Sequence, residues 1–262
     1  MSARCSAIAM GVFALVAIVA PLAAQSLAGR VTAARDGLVV FHFAARPGVC
    51  SDGLHFMRIG SSFRGEMSGS REDAPCVAGP VQVRLSLRDG AVDRVETWVG
   101  TLRSHDGRDF GAVPAHEAAQ FMLSIAAHGN GGPGANALMP AALADSSIVW
   151  PALLAIARDS ATRSRGTRQD ASFWLSRFAA ARLGGAHGDV LDDDGDDGRD
   201  DAMDLKQHAV FVLSQLPHQE GVPALLDVAR TNSNRRVRSR ALFWLGQSGD
   251  PRALNLFESL LM

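Results

Sequence analysis

The sequence is poor in several residue types that mark particular classes of protein. It has no tyrosine, one lysine (Lys206) and three cysteines among 262 residues. Its 26 basic and 27 acidic residues nearly cancel, which argues against general binding to nucleic acid or anionic lipid, because both need a basic surface. So few cysteines exclude a disulfide-dense scaffold, and 47% hydrophobic residues exclude a disordered chain. What remains is a globular protein of one or two domains.

The amino terminus has the charged, apolar and small residues of a secretory signal peptide, in that order. Arg4 precedes an uncharged apolar stretch at 7–20, and small residues up to Ala24 suit cleavage. A membrane anchor is the alternative, but the stretch barely reaches the roughly 20 residues of a span and no basic cluster follows it. We therefore predict removal of 1–24, with Ala28 as a second cleavage position. The mature protein would be periplasmic or secreted and without a stable membrane span.

Two cysteines, Cys50 and Cys76, remain after this cleavage, because Cys5 lies in the discarded segment. In an oxidising compartment they have one intramolecular pairing, so we predict a disulfide bond. Closing a loop of roughly 25 residues stabilises a fold by about 3 kcal/mol on chain-entropy grounds. A nucleophile or a metal thiolate pair is the alternative, but neither cysteine has a CxxC spacing or a nearby ligand histidine.

Residues 29–102 have the alternating pattern of β-strands. An apolar run occupies 38–43, and apolar and polar residues alternate over 81–87. Asp89 and Gly90 then supply the positive φ angles of a tight hairpin turn. We predict a small β-rich domain that is stapled by the disulfide.

The next segment, 103–147, is predicted to be a linker followed by a helical entry segment. Helical spacing of apolar residues begins after Pro114, so the linker proper is 103–113. The glycines at 129–134 match G-x-G-x-x-G, but a helix precedes them where a dinucleotide site needs a strand. We therefore expect a flexible hinge and no bound cofactor.

A ten-residue motif occurs three times in the last hundred residues. The copies begin at Thr167, Leu205 and Val237, so they are 38 and 32 residues apart. Other helical segments, such as 222–230, lie between them. A helix pair that recurs with a period in the thirties cannot bury its apolar face alone, and stacked pairs form an α-solenoid. The predicted fold is α+β and multidomain, with the β-rich domain followed by an α-solenoid at 148–262.

The third copy reads V-R-x-x-A-x-x-x-L-G from Val237 to Gly246, and G-D-P-R-A-L follows at 249–254. This pattern resembles HEAT repeats, especially the short bacterial HEAT-like type that phycobilisome lyases also contain. The resemblance covers 148–262 and implies a solenoid that binds other proteins and carries no chemistry. The middle copy departs from the pattern, because GAHGDVLDDDGDDGRD at 185–200 replaces its first helix. We expect that helix to be shortened or lost.

The acidic run at 192–201 has two interpretations. Asp192, Asp194 and Asp196 are spaced like the first three ligands of a calcium loop. However, Asp197 stands where the EF-hand needs glycine, and no glutamate follows at the twelfth position. A solvated, self-repelling loop is the main prediction, and weak calcium binding is left open.

A helical wheel of the three motif copies separates two faces. The predicted core stripe consists of Thr167, Ala171, Trp174 and Leu175, of Leu205, Ala209, Val212 and Leu213, and of Val237, Ala241, Trp244 and Leu245. The opposite face carries Phe173, Phe211 and Phe243. Polar residues flank these phenylalanines, namely Gln169, Gln207, Arg177, Gln215 and Gln247.

Second helices line the concave surface in HEAT-like solenoids, so the resemblance implies an aromatic row with a polar border on the inner face. Such a row fits a protein or peptide partner in the cell envelope. The alternative is that stacked repeats bury the phenylalanines between neighbouring helices.

Two classes of function remain. The leading one is an exported, non-catalytic scaffold that binds protein or peptide partners. The sequence has neither H-E-x-x-H nor G-x-S-x-G, and we predict no catalytic residue, cofactor or metal. The alternative is an enzyme or enzyme accessory, lyase-like, with a site between the two domains. His42, Arg46, His55 and Arg58 are the polar groups to test for it. The sequence leaves the oligomeric state and the role of the β domain open.

Overall fold

The computed structural model describes residues 26–51, 57–59, 76–129, 131–161, 163–183 and 201–262, with the backbone alone at 57–59, 201–205, 207 and 218. The predicted signal peptide, His55 and residues 192–200 of the acidic run lie outside the described residues. The strands are β1 (Gly37–Phe43), β2 (Val49–Ser51), β3 (Met57–Ile59), β4 (Val77–Ala78), β5 (Val81–Arg88), β6 (Ala91–Val99) and β7 (Arg108–Ala112). The helices are α1 (Leu27–Ala34), α2 (Ala115–His128), α3 (Gly132–Leu143), α4 (Trp150–Arg158), α5 (Arg165–Arg182), α6 (Asp201–Ser214), α7 (Val222–Thr231), α8 (Arg235–Ser248) and α9 (Pro251–Leu261).

The larger sheet has the strand order β6-β5-β1-β7. β5 and β6 form the predicted hairpin, and Asp89 and Gly90 turn it with φ angles of 52° and 77°. The alternation over 81–87 places valines and leucines on one buried face. Helices α2 and α3 cover that face, and the ring of Phe121 in α2 lies edge-on to Phe41 in β1 at 6.4 Å.

The other face of the sheet is covered by residues that sequence analysis assigns to the linker. The amide of Gln82 donates to the Arg103 carbonyl at 2.9 Å and accepts from the Arg103 N–H at 3.1 Å. The ring of His105 stacks on Trp98 at 4.6 Å. The chain then runs into β7, which pairs in parallel with β1. Residues 103–112 are therefore part of the sheet domain in the structure.

The predicted disulfide bond joins Cys50 in β2 to Cys76 immediately before β4. These strands belong to a small second sheet with the order β3-β2-β4. The bond therefore joins the middle strand of this sheet to the residue that precedes an edge strand. Residues 60–73 lie between the two cysteines in the chain and outside the described residues.

Two glycines between α2 and α3, where the composition predicts a flexible hinge, lie close to other backbone atoms. A Cβ atom at Gly134 would lie 2.8 Å from the Gly129 carbonyl oxygen, and a Cβ at Gly129 would lie 2.6 Å from the Ile125 oxygen. The two helices can approach this closely because neither position has a side chain. α3 begins at Gly132, so the glycines allow close packing of two helices.

Side-chain caps start three of the later helices. Ser164 accepts from the Thr167 N–H at 3.1 Å, and Asn234 accepts from the first turn of α8. Asp250 accepts from the Arg252 N–H at 2.8 Å, and the Arg252 guanidinium binds the same carboxylate at 2.7 Å. These hydrogen bonds from Arg252 hold the pKa of Asp250 below its usual value. The Asp-Pro-Arg sequence of the motif is therefore a helix start signal.

Helices α4–α9 form two layers whose order in space differs from their order in the chain. α8 lies between α5 and α6, and α9 contacts both α4 and α7. A regular solenoid would place α6 between α5 and α8, because each repeat packs on the next. Here the α4–α5 pair packs on α8 and α9 instead. α5 ends at Arg182 and α6 begins at Asp201, and the residues between them can span roughly 60 Å when extended, whereas neighbouring helices are about 10 Å apart.

This order explains why the predicted core stripe holds in α5, holds in α8 except for the half-buried Trp244, and fails in the middle copy, α6. Thr167, Ala171, Trp174 and Leu175 are all buried, as are Val237, Ala241 and Leu245. In α6, Ala209 is exposed and Val212 is 46% exposed, whereas the neighbouring Val210 is buried. The prediction was wrong for α6 because this helix lies at the edge of its layer, and among the described elements only α7 and α8 pack extensively against it.

We expect Gly246→Ala to lower the free energy of unfolding by about 1–3 kcal/mol, because an added methyl would overpack the α5–α8 contact. The new Cβ would lie 2.8 Å from the Ser176 Cβ and 3.1 Å from the Ser172 oxygen. Gly166→Ala is the matched control, since its Cβ would have only the Ser164 hydroxyl nearby, at 3.9 Å. That variant should be unchanged or more stable by up to about 1 kcal/mol. Urea unfolding measures both, and equal stability of the two variants would contradict the packing order.

We expect reduction of the disulfide bond to lower the free energy of unfolding by about 3 kcal/mol, because the bond closes a long loop in the unfolded chain. The bonded cysteines are 26 residues apart. The measurement is urea unfolding with and without reductant. The Cys50→Ala/Cys76→Ala variant is the control and should not respond to reductant. Identical unfolding of the oxidised and reduced wild-type protein would refute this expectation.

Candidate functional site

A continuous row of aromatic rings runs across α5, α8 and α6. Phe173 in α5 lies edge-on to Phe243 in α8, with ring centres 6.3 Å apart. Phe243 contacts Trp244 at 5.0 Å, and Trp244 contacts Phe211 in α6 at 5.4 Å. We call these four residues the aromatic row. It brings together the three phenylalanines that the wheel predicts on one face.

The exposure of the row lies between the two predicted alternatives. Phe173 and Phe243 are half-buried, and Phe211 is 37% exposed. Edge-to-face contacts of this kind bury part of each ring and fix its orientation. The rings therefore contribute to helix packing and still offer surface to a ligand, most of all at the α6 end.

Part of the predicted polar border lines a cavity at the α6 end of the row. The cavity has a volume of about 300 Å³ and lies between the end of α6, the start of α7 and α8. Gln215 and Gln247 line it, together with Trp244 and the apolar Leu213 and Leu216. Both glutamines are exposed, and Gln215 donates to the neighbouring Ser214 hydroxyl at 3.0 Å. An apolar wall with uncharged amide groups at its rim suits a peptide, whose backbone can pair with amides.

The other predicted border residues lie farther along the row. Gln169 and Arg177, on α5, are half-buried. Burial lowers the pKa of the Arg177 guanidinium, which nevertheless stays protonated at neutral pH. The side chain of Gln207 lies outside the described residues. The border is therefore neutral at the α6 end and cationic beside α5.

Trp244 is a site residue that sequence analysis missed, because the wheel assigns it to the core. It is half-buried, and its indole N–H is shielded from solvent without a hydrogen-bond acceptor among the described residues. Buried tryptophan N–H groups usually have a partner. The one sequence signal was its position next to Phe243 in α8. Since α8 is the middle helix, adjacent residues can face both neighbours, and Trp244 faces α6.

Of the four polar groups of the alternative enzyme hypothesis, the structure describes the side chains of His42 and Arg46, and these two lie in different places. His42 lies on β1 opposite Gln82 of β5, on the outer side of the sheet. Arg46 follows β1 and contacts the Phe178 ring in α5 at 5.2 Å. The side chain of Arg58 is not described. No group of three or more potential metal ligands occurs within the described ranges.

None of the helices in the described part of the chain has the length and apolar character needed to cross a membrane. No curated protein and no solved structure matches the chain significantly. A family model of HEAT repeats matches residues 198–262, which include α6, α7, α8 and α9. This stretch contains two motif copies and the G-D-P-R-A-L segment, so the resemblance is confirmed for 198–262, and the match does not include 148–197. The chain is a protein that contains HEAT-like repeats.

Proposed function

We propose that this protein is an exported, non-catalytic scaffold that binds a protein or peptide partner through its HEAT-like helices. The aromatic row is the binding surface, and Phe211 and Trp244 with the adjacent cavity are its centre. HEAT repeats commonly mediate protein interactions, which supports this class of function. The disulfide bond is compatible with an oxidising compartment such as the periplasm or the extracellular space.

The observation that carries the proposal is the partial exposure of aromatic rings that are held rigidly. Phe211 leaves 37% of its surface in water although Trp244 packs against it. Aromatic residues in such positions dominate binding energy at protein interfaces, because they bury a large area and lose little side-chain entropy. A row that spans three helices is long enough to contact an extended partner segment, whereas a compact ligand would cover only part of it.

The chemistry of the border favours a peptide over a charged ligand at this end. Gln215, Gln247 and Gln219 supply amide donors and acceptors around the cavity, and none of the described residues that line it is charged. The partner segment would insert an apolar side chain beside Trp244 and pair its backbone with these amides. Arg177, at the α5 end, would favour an acidic residue farther along the same segment.

We expect the Phe211→Ala/Phe243→Leu variant to lose about tenfold or more in affinity for the partner, because two anchors are removed while most of the core volume is kept. Leu102→Ala is the matched control, since Leu102 is a 47% exposed apolar residue in the sheet domain. The measurement is affinity capture from envelope extract with the mature protein, followed by titration of the captured partner against each variant.

Circular dichroism and urea unfolding must first establish that both variants are folded. Loss of the partner from the Phe211→Ala/Phe243→Leu variant alone would support the proposed surface. Equal retention by both variants would move the binding site away from the aromatic row. Loss from the Leu102→Ala control alone would assign binding to the sheet domain.

Export predicts one particular mature amino terminus. Leu27 is fully buried, its N–H donates to Glu117 in α2, and the Ser26 hydroxyl caps α1. Cleavage after Ala28 would remove these contacts, whereas cleavage after Ala24 keeps them. We therefore expect intact mass measurement of the exported protein to give a chain that begins at Gln25.

The control variant is Ala24→Leu, which replaces the small residue that a signal peptidase needs before the cut. It should accumulate as the uncleaved precursor. A mature chain that begins at Gly29, or an uncleaved wild-type protein in the envelope fraction, would contradict the expected cleavage.

A further inference from the structure

A second cavity, separate from the aromatic row, lies where the sheet domain meets the helical layers. Its volume is about 490 Å³. The loop after β1, the loop between α3 and α4, and the carboxyl ends of α5 and α9 surround it. This volume is within the range of small-molecule binding sites.

Most of the lining is apolar. Trp150 at the start of α4, Phe178 in α5 and Leu261 in α9 contribute side chains, and Ile148 stands at the rim. Ile148 is 82% exposed, the highest exposure among the large apolar residues that the structure describes. An isoleucine in water beside a partly exposed tryptophan forms an apolar edge that a ligand would cover.

The loop that carries Ile148 is held in place. Asp145 donates its N–H to the Ala44 carbonyl at 3.0 Å, and Ala144 pairs with Ala45 across the domain boundary. The Ser147 hydroxyl donates to the Asp145 carbonyl, also at 3.0 Å. These hydrogen bonds hold the loop against the sheet domain, so Ile148 is exposed in the folded protein.

Arg46 brings a positive charge into the wall of this cavity. Its Nε donates to the Ala142 carbonyl at 2.8 Å, and a terminal N–H donates to the Ser147 carbonyl. Its guanidinium lies 5.2 Å from the centre of the Phe178 ring. Two of its five N–H donors have these partners, so others are available to a ligand. Asp145 offsets part of the charge from one side.

Arg182 supplies a second cation at the rim. It is exposed, it is the last residue of α5, and it forms no ion pair with a residue that the structure describes. The described residues that line the cavity include no aspartate or glutamate. Among the described residues, the lining therefore combines an apolar floor with two guanidinium groups, and Asp145 lies near one of them.

We propose that this cavity binds a monocarboxylate with an apolar body. The apolar part covers Trp150 and Ile148, and the carboxylate accepts hydrogen bonds from Arg182 and Arg46. Guanidinium groups bind carboxylates by paired, charge-assisted hydrogen bonds, which gives the site its selectivity for an acid over a neutral analogue. Two sources supply this chemistry, a medium-chain fatty acid and the carboxyl-terminal residue of a peptide.

Tryptophan fluorescence of the mature protein tests this site directly. The chain has no tyrosine and four tryptophans, so emission reports on tryptophan alone, and Trp150→Phe identifies the contribution of the cavity. The probes are decanoate and decanol for one source, and N-acetyl-leucyl-phenylalanine and its amide for the other. We expect each acid that binds to do so at least about tenfold more tightly than its neutral analogue.

Three variants separate the contribution of the charge from that of the apolar contact. Arg182→Gln should weaken binding of the acid about tenfold and leave the neutral analogue unchanged. Arg165→Gln, at the opposite end of α5, is the matched control and should bind like the wild type. Ile148→Ser should weaken acid and neutral analogue alike, because it removes apolar contact.

The outcomes are distinct. Binding of decanoate alone assigns the site to a free fatty acid, and binding of the peptide acid alone assigns it to a chain terminus. Neutral analogues that bind as tightly as the acids, or the absence of any saturable signal confirmed by calorimetry, would overturn the proposal. The Phe211→Ala/Phe243→Leu variant should bind the probes normally, so this site and the aromatic row succeed or fail independently.

Discussion

The close approach of α5 and α8 is the contact on which the helical part of the molecule depends. Gly246 faces Ser176 and the Ser172 carbonyl, and no side chain would fit between them. Once the two backbones are this close, the rings of Phe173 and Phe243 meet at their edges. α6 then packs on the opposite side of α8, and α9 packs against both α5 and α8. Gly246 therefore permits the close contact between α5 and α8.

The repeats and the hairpin are recognisable in the sequence because their signals are local. Each copy of the motif, and the Asp89–Gly90 turn, depends on residues within a few positions of each other. The order of the helices in space depends on contacts between distant residues, such as Gly246 with Ser176, and the motif copies are too similar to decide it. The wheel placed Val212 and Trp244 in the core because each shares an angular stripe with apolar residues of its own helix. A wheel carries no information about which helices lie on either side of that helix.

The boundary between the sheet domain and the helices also could not be predicted from the sequence patterns. A run with little periodicity at 103–113 resembles a linker, but Gln82 binds its backbone and β7 completes the sheet. Arg46 is the clearest case, because a single charged residue in a loop has no periodicity from which its contacts could be predicted. It nevertheless contacts the end of α3, the loop before α4 and a ring of α5. Such a residue connects two folding units by hydrogen bonds to backbone carbonyls, so only the fold reveals it.

The two cavities are lined by different kinds of residue because they lie in different parts of the fold. The one beside Trp244 lies at the outer edge of a helical layer, where the repeat geometry exposes rings and uncharged amides. The one beside Arg46 lies at the junction, where closing the gap between a sheet and helices required a cation that can satisfy several carbonyls at once. The Arg46 guanidinium uses only some of its N–H donors for packing, and we propose that the others bind the ligand at the junction. The recognition that we propose at the edge would therefore depend on shape and aromatic area, and the recognition that we propose at the junction would depend on charge.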